Sequence, residues 1–154
     1  MSGTDKNRVF LRKISPFSKI ALDTSCFVYE FDEVTPYINF TGLIFEKIEL
    51  GEIKAITSAV TIIEIFIKPE RLKNNKVIRS YENLLKRFPN LEIYPVDWNI
   101  GRVAARIRAK YSLKTPDAVQ LALAVDQKVD AFITNDRKLR GFKETKVLVL
   151  QDYV

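Results

Sequence analysis

The sequence predicts a three-layer α/β domain in which a central parallel β-sheet carries helices on both faces. Short apolar segments of strand length alternate with longer segments whose apolar residues recur at helical spacing. Strands that are separated by helices usually run parallel, because a helical crossover returns the chain to the same end of the sheet. The 154 residues, 47% hydrophobic and 29% charged, fit one such domain with a single core.

The N-terminal half begins with a basic arm, residues 1–18, that we expect to be partly disordered, and the domain then spans residues 19–154. Residues 19–23 predict a short buried strand that ends in an acid. An apolar-rich helix follows over residues 37–50, and Gly51 suits its C-terminal cap. A second strand covers residues 54–57. The next helix covers residues 60–67, and we expect Pro69 to stop it.

The C-terminal half continues the alternation of helices and strands. Residues 77–88 carry one apolar stripe at helical spacing, and residues 91–96 predict a strand. A second striped helix covers residues 100–111. Residues 116–129 are apolar on nearly every side, as expected of a central helix, and strands follow at residues 131–134 and 146–150. In such a sheet, ligands bind beyond the carboxyl ends of the strands.

The absence of histidine excludes several kinds of active site. Ser–His–Asp and Cys–His arrangements, imidazole metal sites and histidine general bases are all ruled out. Any metal ion must be held by oxygen ligands, which favours Mg²⁺ or Mn²⁺ over Zn²⁺. The net charge of +6 and pI of about 9.4 suit a polyanionic partner such as nucleic acid, although they also fit an ordinary soluble surface.

The sequence predicts neither a membrane span nor a secretory signal. No apolar run reaches the roughly 18 residues that a membrane span needs, and residues 1–19 lack the apolar core of a secretory signal. The single cysteine, Cys26, cannot form an internal disulfide. We therefore expect a cytoplasmic protein that does not associate with membranes.

Three aspartates fall where strands meet helices. Asp23 closes the first strand, Asp136 follows the strand at residues 131–134, and Asp117 lies in the first turn predicted after Thr115 and Pro116. Each one fits a helix cap or a favourable partner of the helix dipole when it is considered alone. Together they would meet at the carboxyl edge of the sheet.

Glu64 is an acid within a helix segment that is apolar on almost every side. Burying an unpaired carboxylate costs several kcal/mol or keeps it protonated. An exposed ion pair with Lys68 would contribute only about 0.3–0.5 kcal/mol, which does not explain a charge in this position. A cation shared with the three aspartates would explain it, because the cation relieves their mutual repulsion. Metal-assisted cleavage of a phosphodiester bond requires such a carboxylate edge.

The ordered set of motifs resembles the PIN domain family, with the closest likeness to the VapC-type toxins of prokaryotic toxin–antitoxin pairs. No single motif is specific, but their order, spacing and structural context together are. The likeness runs from Ile20 to Leu150 and leaves only the N-terminal arm outside it. The motifs are Asp23 within residues 20–25, Glu64 within residues 60–64, Asp117 within residues 115–118 and Asp136 within residues 133–136.

The resemblance implies a Rossmann-like PIN fold that binds Mg²⁺ or Mn²⁺ and cleaves single-stranded or structured RNA as an endonuclease. It further implies a homodimer and a small antitoxin protein as a partner. The four acids would be metal ligands or would orient metal-bound water, with Thr134 assisting beside Asp136 and Ser25 a weaker candidate. The basic residues that follow the last acid are candidates for phosphate contacts: Arg137, Lys138, Arg140 and Lys143. An alternative path for the RNA is the basic helix face formed by Arg102, Arg106 and Lys110.

Other functions remain as alternatives. Two other enzyme or receiver classes are excluded: a haloacid-dehalogenase-type phosphatase needs a second Asp where Ser25 stands, and a response-regulator receiver needs paired acids by the first strand and a Lys at the end of a late strand, and neither set is present. A non-catalytic PIN-fold module that binds RNA or protein would be expected to have lost one or more of the acids. A housekeeping RNA-processing nuclease would have the same site as a toxin.

Overall fold

The computed structural model describes residues 1–154 and has seven α-helices around a five-stranded sheet. The strands are β1 (Lys19–Leu22), β2 (Lys54–Ser58), β3 (Leu91–Tyr94), β4 (Ala131–Thr134) and β5 (Val147–Val149). The helices are α1 (Gly3–Ile14), α2 (Thr24–Phe31), α3 (Ile38–Glu49), α4 (Ala59–Arg71), α5 (Asn75–Arg87), α6 (Trp98–Tyr111) and α7 (Thr115–Asp126). Short 3-10 helices cover Arg137–Gly141 and Leu150–Tyr153. The predicted three-layer α/β class is confirmed.

All strand pairs are parallel, and the strand order is β3-β2-β1-β4-β5. The chain moves outward from β1 to β3 on one side and then returns to the other side of β1 for β4 and β5. The order therefore reverses between β1 and β4, which is where open α/β sheets bind ligands. Leu22 of β1 lies opposite Ile133 of β4, so Asp23 and Thr134 are brought to the same edge.

The sheet is covered on both faces because its strands alternate their side chains between two cores. Ile20 and Leu22 point into a core formed with α1 to α5, whereas Ala21 packs with α6 and α7. Helix α7 is the central helix predicted from its composition, since its residues 118–124 are all buried. None of the helices is long and apolar enough to cross a membrane.

Residues 1–18 differ from the partly disordered arm that the sequence predicts. Gly3–Ile14 form helix α1, which begins with a capping box in which Ser2 and Asp5 exchange side-chain and backbone hydrogen bonds. Phe10 and Ile14 are fully buried. The Phe10 ring packs edge-on against Phe40 of α3, at a centroid distance of 5.1 Å. The two apolar residues one turn apart dock this basic segment on the core.

One further difference concerns α4, the helix that follows β2. Pro69 lies inside α4, which continues to Arg71. Proline cannot donate the hydrogen bond to the carbonyl one turn earlier and its ring crowds that carbonyl, but both effects fall in the last turn of the helix. Gly51 follows α3 with a φ of 78°, a conformation that glycine adopts without strain, so that helix ends where the sequence predicts.

Candidate active site

Asp23 is fixed at the junction of β1 and α2. It is the N-cap of α2, and its Oδ1 accepts a hydrogen bond of 2.8 Å from the backbone N–H of Thr24. Its Oδ2 accepts a hydrogen bond of 2.6 Å from the hydroxyl of Thr134. The carboxylate therefore keeps one orientation, beside the positive end of a helix dipole.

Thr134 and Asp136 extend this arrangement to the end of β4. Thr134 is fully buried, and its hydroxyl oxygen accepts a 3.1 Å hydrogen bond from the backbone N–H of Asp136 while its proton goes to Asp23. Asp136 caps the following 3-10 helix, because its Oδ1 accepts from the backbone N–H of Lys138 at 2.9 Å. One hydroxyl thus joins the two aspartates that end neighbouring strands.

Glu64 reaches the same edge from α4, but it is exposed rather than buried. The apolar sequence of this helix predicts burial on every side, whereas one side of the helix faces solvent: Ile63 is 62% exposed and Ile67 47% exposed. The Oε1 of Glu64 accepts a 2.7 Å hydrogen bond from the hydroxyl of Thr24. The hydrogen bond between α2 and α4 therefore directs Glu64 towards Asp23. Because Glu64 is exposed, the cost of burying a carboxylate, on which the sequence argument relied, does not apply to it.

Asp117 lies in the first turn of α7, as the sequence predicts. The helix begins one residue earlier than expected, with Lys114 as the N-cap and no side-chain cap hydrogen bond, so Thr115 is helical and not the cap. Asp117 is partly buried. Its carboxylate lies at the N-terminal end of α7 and faces the other acids across the end of the sheet.

The four acids act on one another electrostatically. Burial and, to a smaller extent, the charges of Asp117 and Glu64 together raise the pKa of Asp23 to about 6, although the hydrogen bonds from Thr134 and Thr24 lower it. Burial also raises the pKa of Asp117, and the charges of Asp136 and Glu64 add to this effect. The carboxylates that the sequence identifies one by one therefore form a single repelling cluster.

A family model of the PIN domain matches residues 20–146, which include all four acids. The chain belongs to the PIN domain family. This confirms the resemblance that the motifs indicate. Helix α1 lies on the N-terminal side of the matched segment.

Three solved structures, one of them a toxin–antitoxin complex, have a similar fold. A toxin–antitoxin complex from Klebsiella pneumoniae aligns with a TM-score of 0.61 and 17% identity, over 85% of this chain and 97% of that one. VapBC2 from Rickettsia felis, bound to a promoter DNA fragment, aligns with a TM-score of 0.65 and 14% identity, over 85% and 98% of the two chains. FitAcB from Neisseria gonorrhoeae aligns with a TM-score of 0.66 and 18% identity, over 86% and 98%. The comparison with curated proteins gave no match.

The acids of this PIN domain fit a hard divalent cation by their chemistry. Every available donor is oxygen, which suits Mg²⁺ and Mn²⁺. Burial, and to a smaller extent the repulsion of the neighbouring acids, raises the pKa values of Asp23 and Asp117, and a cation would relieve that repulsion. No group of three acids is arranged in the structure to hold a metal ion. Magnesium commonly uses only one or two carboxylates together with water, so the donor set fits. PIN domains generally depend on divalent metal ions.

The basic residues that follow Asp136 lie in different surroundings. The charges of Lys114 and Lys138 act on Asp117 and oppose the rise in its pKa, so both ammonium groups border the acids. Arg140 forms an ion pair with Asp152, and Arg106 forms one with Glu144 at 2.8 Å. Of the predicted phosphate contacts, Lys138 is the one whose charge acts on the acids, and Arg137 lies near Tyr37.

Sequence reasoning missed several residues of the site. Thr24 bridges to Glu64, Lys114 borders Asp117, and Gln120 lies one turn after Asp117 in the buried part of α7. A glutamine in an otherwise apolar central helix was the available signal for Gln120. Ser25, a weaker candidate, has a buried hydroxyl oxygen without a hydrogen-bond partner.

Proposed function

We propose that this PIN domain is an endoribonuclease that uses Mg²⁺ or Mn²⁺ to cleave RNA phosphodiester bonds, as the toxin of a type II toxin–antitoxin pair. The observation that carries the proposal is the single cluster of four carboxylates, in which burial and neighbouring charges raise the pKa of Asp23 to about 6. A protein that only needed helix caps would gain nothing from bringing these charges together. Membership of the PIN family supports nuclease chemistry at this cluster.

The roles of the side chains follow from their contacts. Asp23, Glu64, Asp117 and Asp136 would hold the ion, which when bound stabilises charge on the scissile phosphate and lowers the pKa of a bound water. Thr134 holds Asp23 and the backbone of Asp136 in place through one hydroxyl. Lys114, Lys138 and Arg137 would bind the flanking phosphates, and the paired Arg140 would contribute less.

The partners belong to the same proposal. The structural neighbours from Klebsiella pneumoniae and Rickettsia felis are toxin–antitoxin assemblies, which supports a small antitoxin as partner. An arginine of such a partner would pair bidentately with two of the carboxylates. The exposed Ile63 and Ile67 of α4 offer an apolar face to the antitoxin or to a second copy in a homodimer. We place this activity in the cytoplasm.

The test of nuclease function uses substitutions that remove one charge at a time. Asp23→Asn, Glu64→Gln, Asp117→Asn and Asp136→Asn should each lower Mn²⁺-dependent cleavage of a labelled RNA by about 100-fold or more, and a double variant should be little worse than a single one. Asp97→Asn is the matched control, since Asp97 caps α6 by accepting from Ile100 at 2.9 Å. Full cleavage by Glu64→Gln would contradict the assignment of the site.

The toxin role requires a separate test. Expression of the chain should arrest growth, and co-expression with a small protein encoded beside it should relieve the arrest and yield a purified complex. Addition of Mn²⁺ should then compete with inhibition if the inhibitor's arginine occupies the acidic pocket. A harmless chain that cleaves RNA would indicate a housekeeping nuclease, and a chain that binds RNA without cleaving it would indicate a non-catalytic module.

A further inference from the structure

A buried polar network lies beneath the four acids. Its members are Thr57, Ser58, Thr61 and Gln120, none of which is more than 2% exposed. Buried polar groups cost free energy unless they are hydrogen-bonded, so their presence in the core between β2, α4 and α7 calls for a reason. None of the four is an acid of the candidate site.

Gln120 is the residue that joins α7 to the other elements. Its Oε1 accepts hydrogen bonds from the hydroxyl of Ser58 at 2.8 Å and from the Ser58 backbone N–H at 3.3 Å. Its Nε2 donates to the hydroxyl oxygen of Thr61 at 2.8 Å. Both ends of the amide are therefore used, and both bind the start of α4.

The hydroxyl protons of the network have only one consistent arrangement. The carbonyl of Leu22 can only accept, so Thr57 donates to it at 2.9 Å. Thr57 must then accept from Thr61 at 2.6 Å, and Thr61 accepts from Gln120. Thr24, 3.4 Å from Thr61, donates its own hydroxyl proton to Oε1 of Glu64.

Each end of this network lies next to an acid. Leu22 directly precedes Asp23, and Thr61 lies three residues before Glu64 on α4. Gln120 lies three residues after Asp117 on α7. Residues three apart on a helix are neighbours on its surface, so a contact at one residue restrains the other. The network thereby ties together the elements that carry three of the four acids.

We propose that Gln120 is a positioning residue that sets the separation of Asp117 and Glu64, and so the affinity of the acid cluster for a divalent cation. Glu64 is exposed and Asp117 only partly buried, so neither carboxylate is placed by packing of its own side chain. The hydrogen bonds of Gln120 are the side-chain hydrogen bonds that join α7 to the β2–α4 junction. This inference rests on the proposed metal-dependent function.

The test is the affinity of the RNA-free protein for Mn²⁺, measured as free Mn²⁺ by electron paramagnetic resonance. Gln120→Met keeps the volume and removes the amide, and should weaken Mn²⁺ binding about 10- to 100-fold, as for other residues that support metal ligands. Gln127→Met is the matched control: Gln127 follows the same helix at its far end, where it accepts from Lys19 and Tyr94. The control should bind Mn²⁺ as wild type does.

A second substitution separates positioning from stability. Thr61→Val removes the acceptor for the Gln120 amide, and should weaken Mn²⁺ binding by a similar factor. The double variant should lose no more affinity than Gln120→Met alone, because both act through one contact. If Gln120→Met does not fold, the Mn²⁺ affinity of Thr61→Val tests the positioning role by itself.

The outcomes distinguish this inference from the proposed function. Lowered melting temperatures with wild-type Mn²⁺ affinity in Gln120→Met and Thr61→Val would overturn the positioning role and leave the nuclease intact. A wild-type protein that binds Mn²⁺ without cleaving RNA would overturn the nuclease, while weaker Mn²⁺ binding by Gln120→Met would still support the inference. A wild-type protein that does not bind Mn²⁺ would overturn both.

Discussion

Replacing Asp23 with asparagine should stabilise the metal-free protein near neutral pH, although it removes a proposed metal ligand. Burial and the neighbouring acids raise the pKa of Asp23 from 3.8 to about 6. At about 1.36 kcal/mol for each pKa unit, ionised Asp23 costs the folded state about 3 kcal/mol. Asparagine can still accept from the Thr24 N–H, but it loses the bond from the Thr134 hydroxyl, which offsets about 1 kcal/mol.

The expected gain is therefore about 2 kcal/mol at pH 7, or about 4–8 °C in melting temperature for a domain of this size. Its dependence on pH has a definite sign. Because folding raises the pKa, the stability contributed by protonated Asp23 is fully present below pH 3.8 and is lost as the pH rises through about 6. The variant has no such loss, so its advantage should be small near pH 4 and largest at pH 7.

The assay is urea denaturation in EDTA at several pH values between 4 and 7, with Asp97→Asn as control. Asp97 is also a helix N-cap, but it is exposed and lies outside the acid cluster, so its variant should change little at any pH. Adding Mn²⁺ should raise the melting temperature of wild type more than that of Asp23→Asn. An Asp23→Asn variant that is no more stable than wild type at pH 7, or whose advantage is the same at pH 4, would refute this reasoning.

Two further predictions concern the surface near the acids and the N-terminal helix. The double variant Lys114→Ala/Lys138→Ala should weaken RNA binding. It should also lower the slope of log affinity against log salt concentration by up to about 2, because each lysine contributes one phosphate contact. The control Arg106→Ala should leave this slope unchanged, because Arg106 is paired with Glu144. Phe10→Ala should lower the free energy of unfolding by about 3–5 kcal/mol in denaturant titrations, because Phe10 is fully buried against Phe40 and Tyr153. A loss below about 1 kcal/mol would show that α1 does not belong to the core.

The pattern of apolar residues was sufficient to predict the sheet and most helices. The strands are short apolar segments, and α7 is apolar on all sides because it is buried on all sides. Helix α4 shows the limit of such patterns. Its isoleucines predict burial, yet Ile63 and Ile67 face solvent, since composition does not report which neighbours a helix has. Helix α1 was missed because its charges outnumber the two residues, Phe10 and Ile14, that dock it.

The sequence by itself determined which residues carry the candidate chemistry: four acids, without histidine, at the ends of predicted strands and helices. This follows from local chain geometry, because parallel strands that are joined by helices must end at one edge. Only the tertiary structure decided how the acids are held. Thr134 contacts Asp23, Thr24 contacts Glu64 and Gln120 contacts Thr61. The residues of these pairs are 111, 40 and 59 positions apart in the sequence, respectively. Such contacts depend on how the helices pack across the sheet, which no local pattern records.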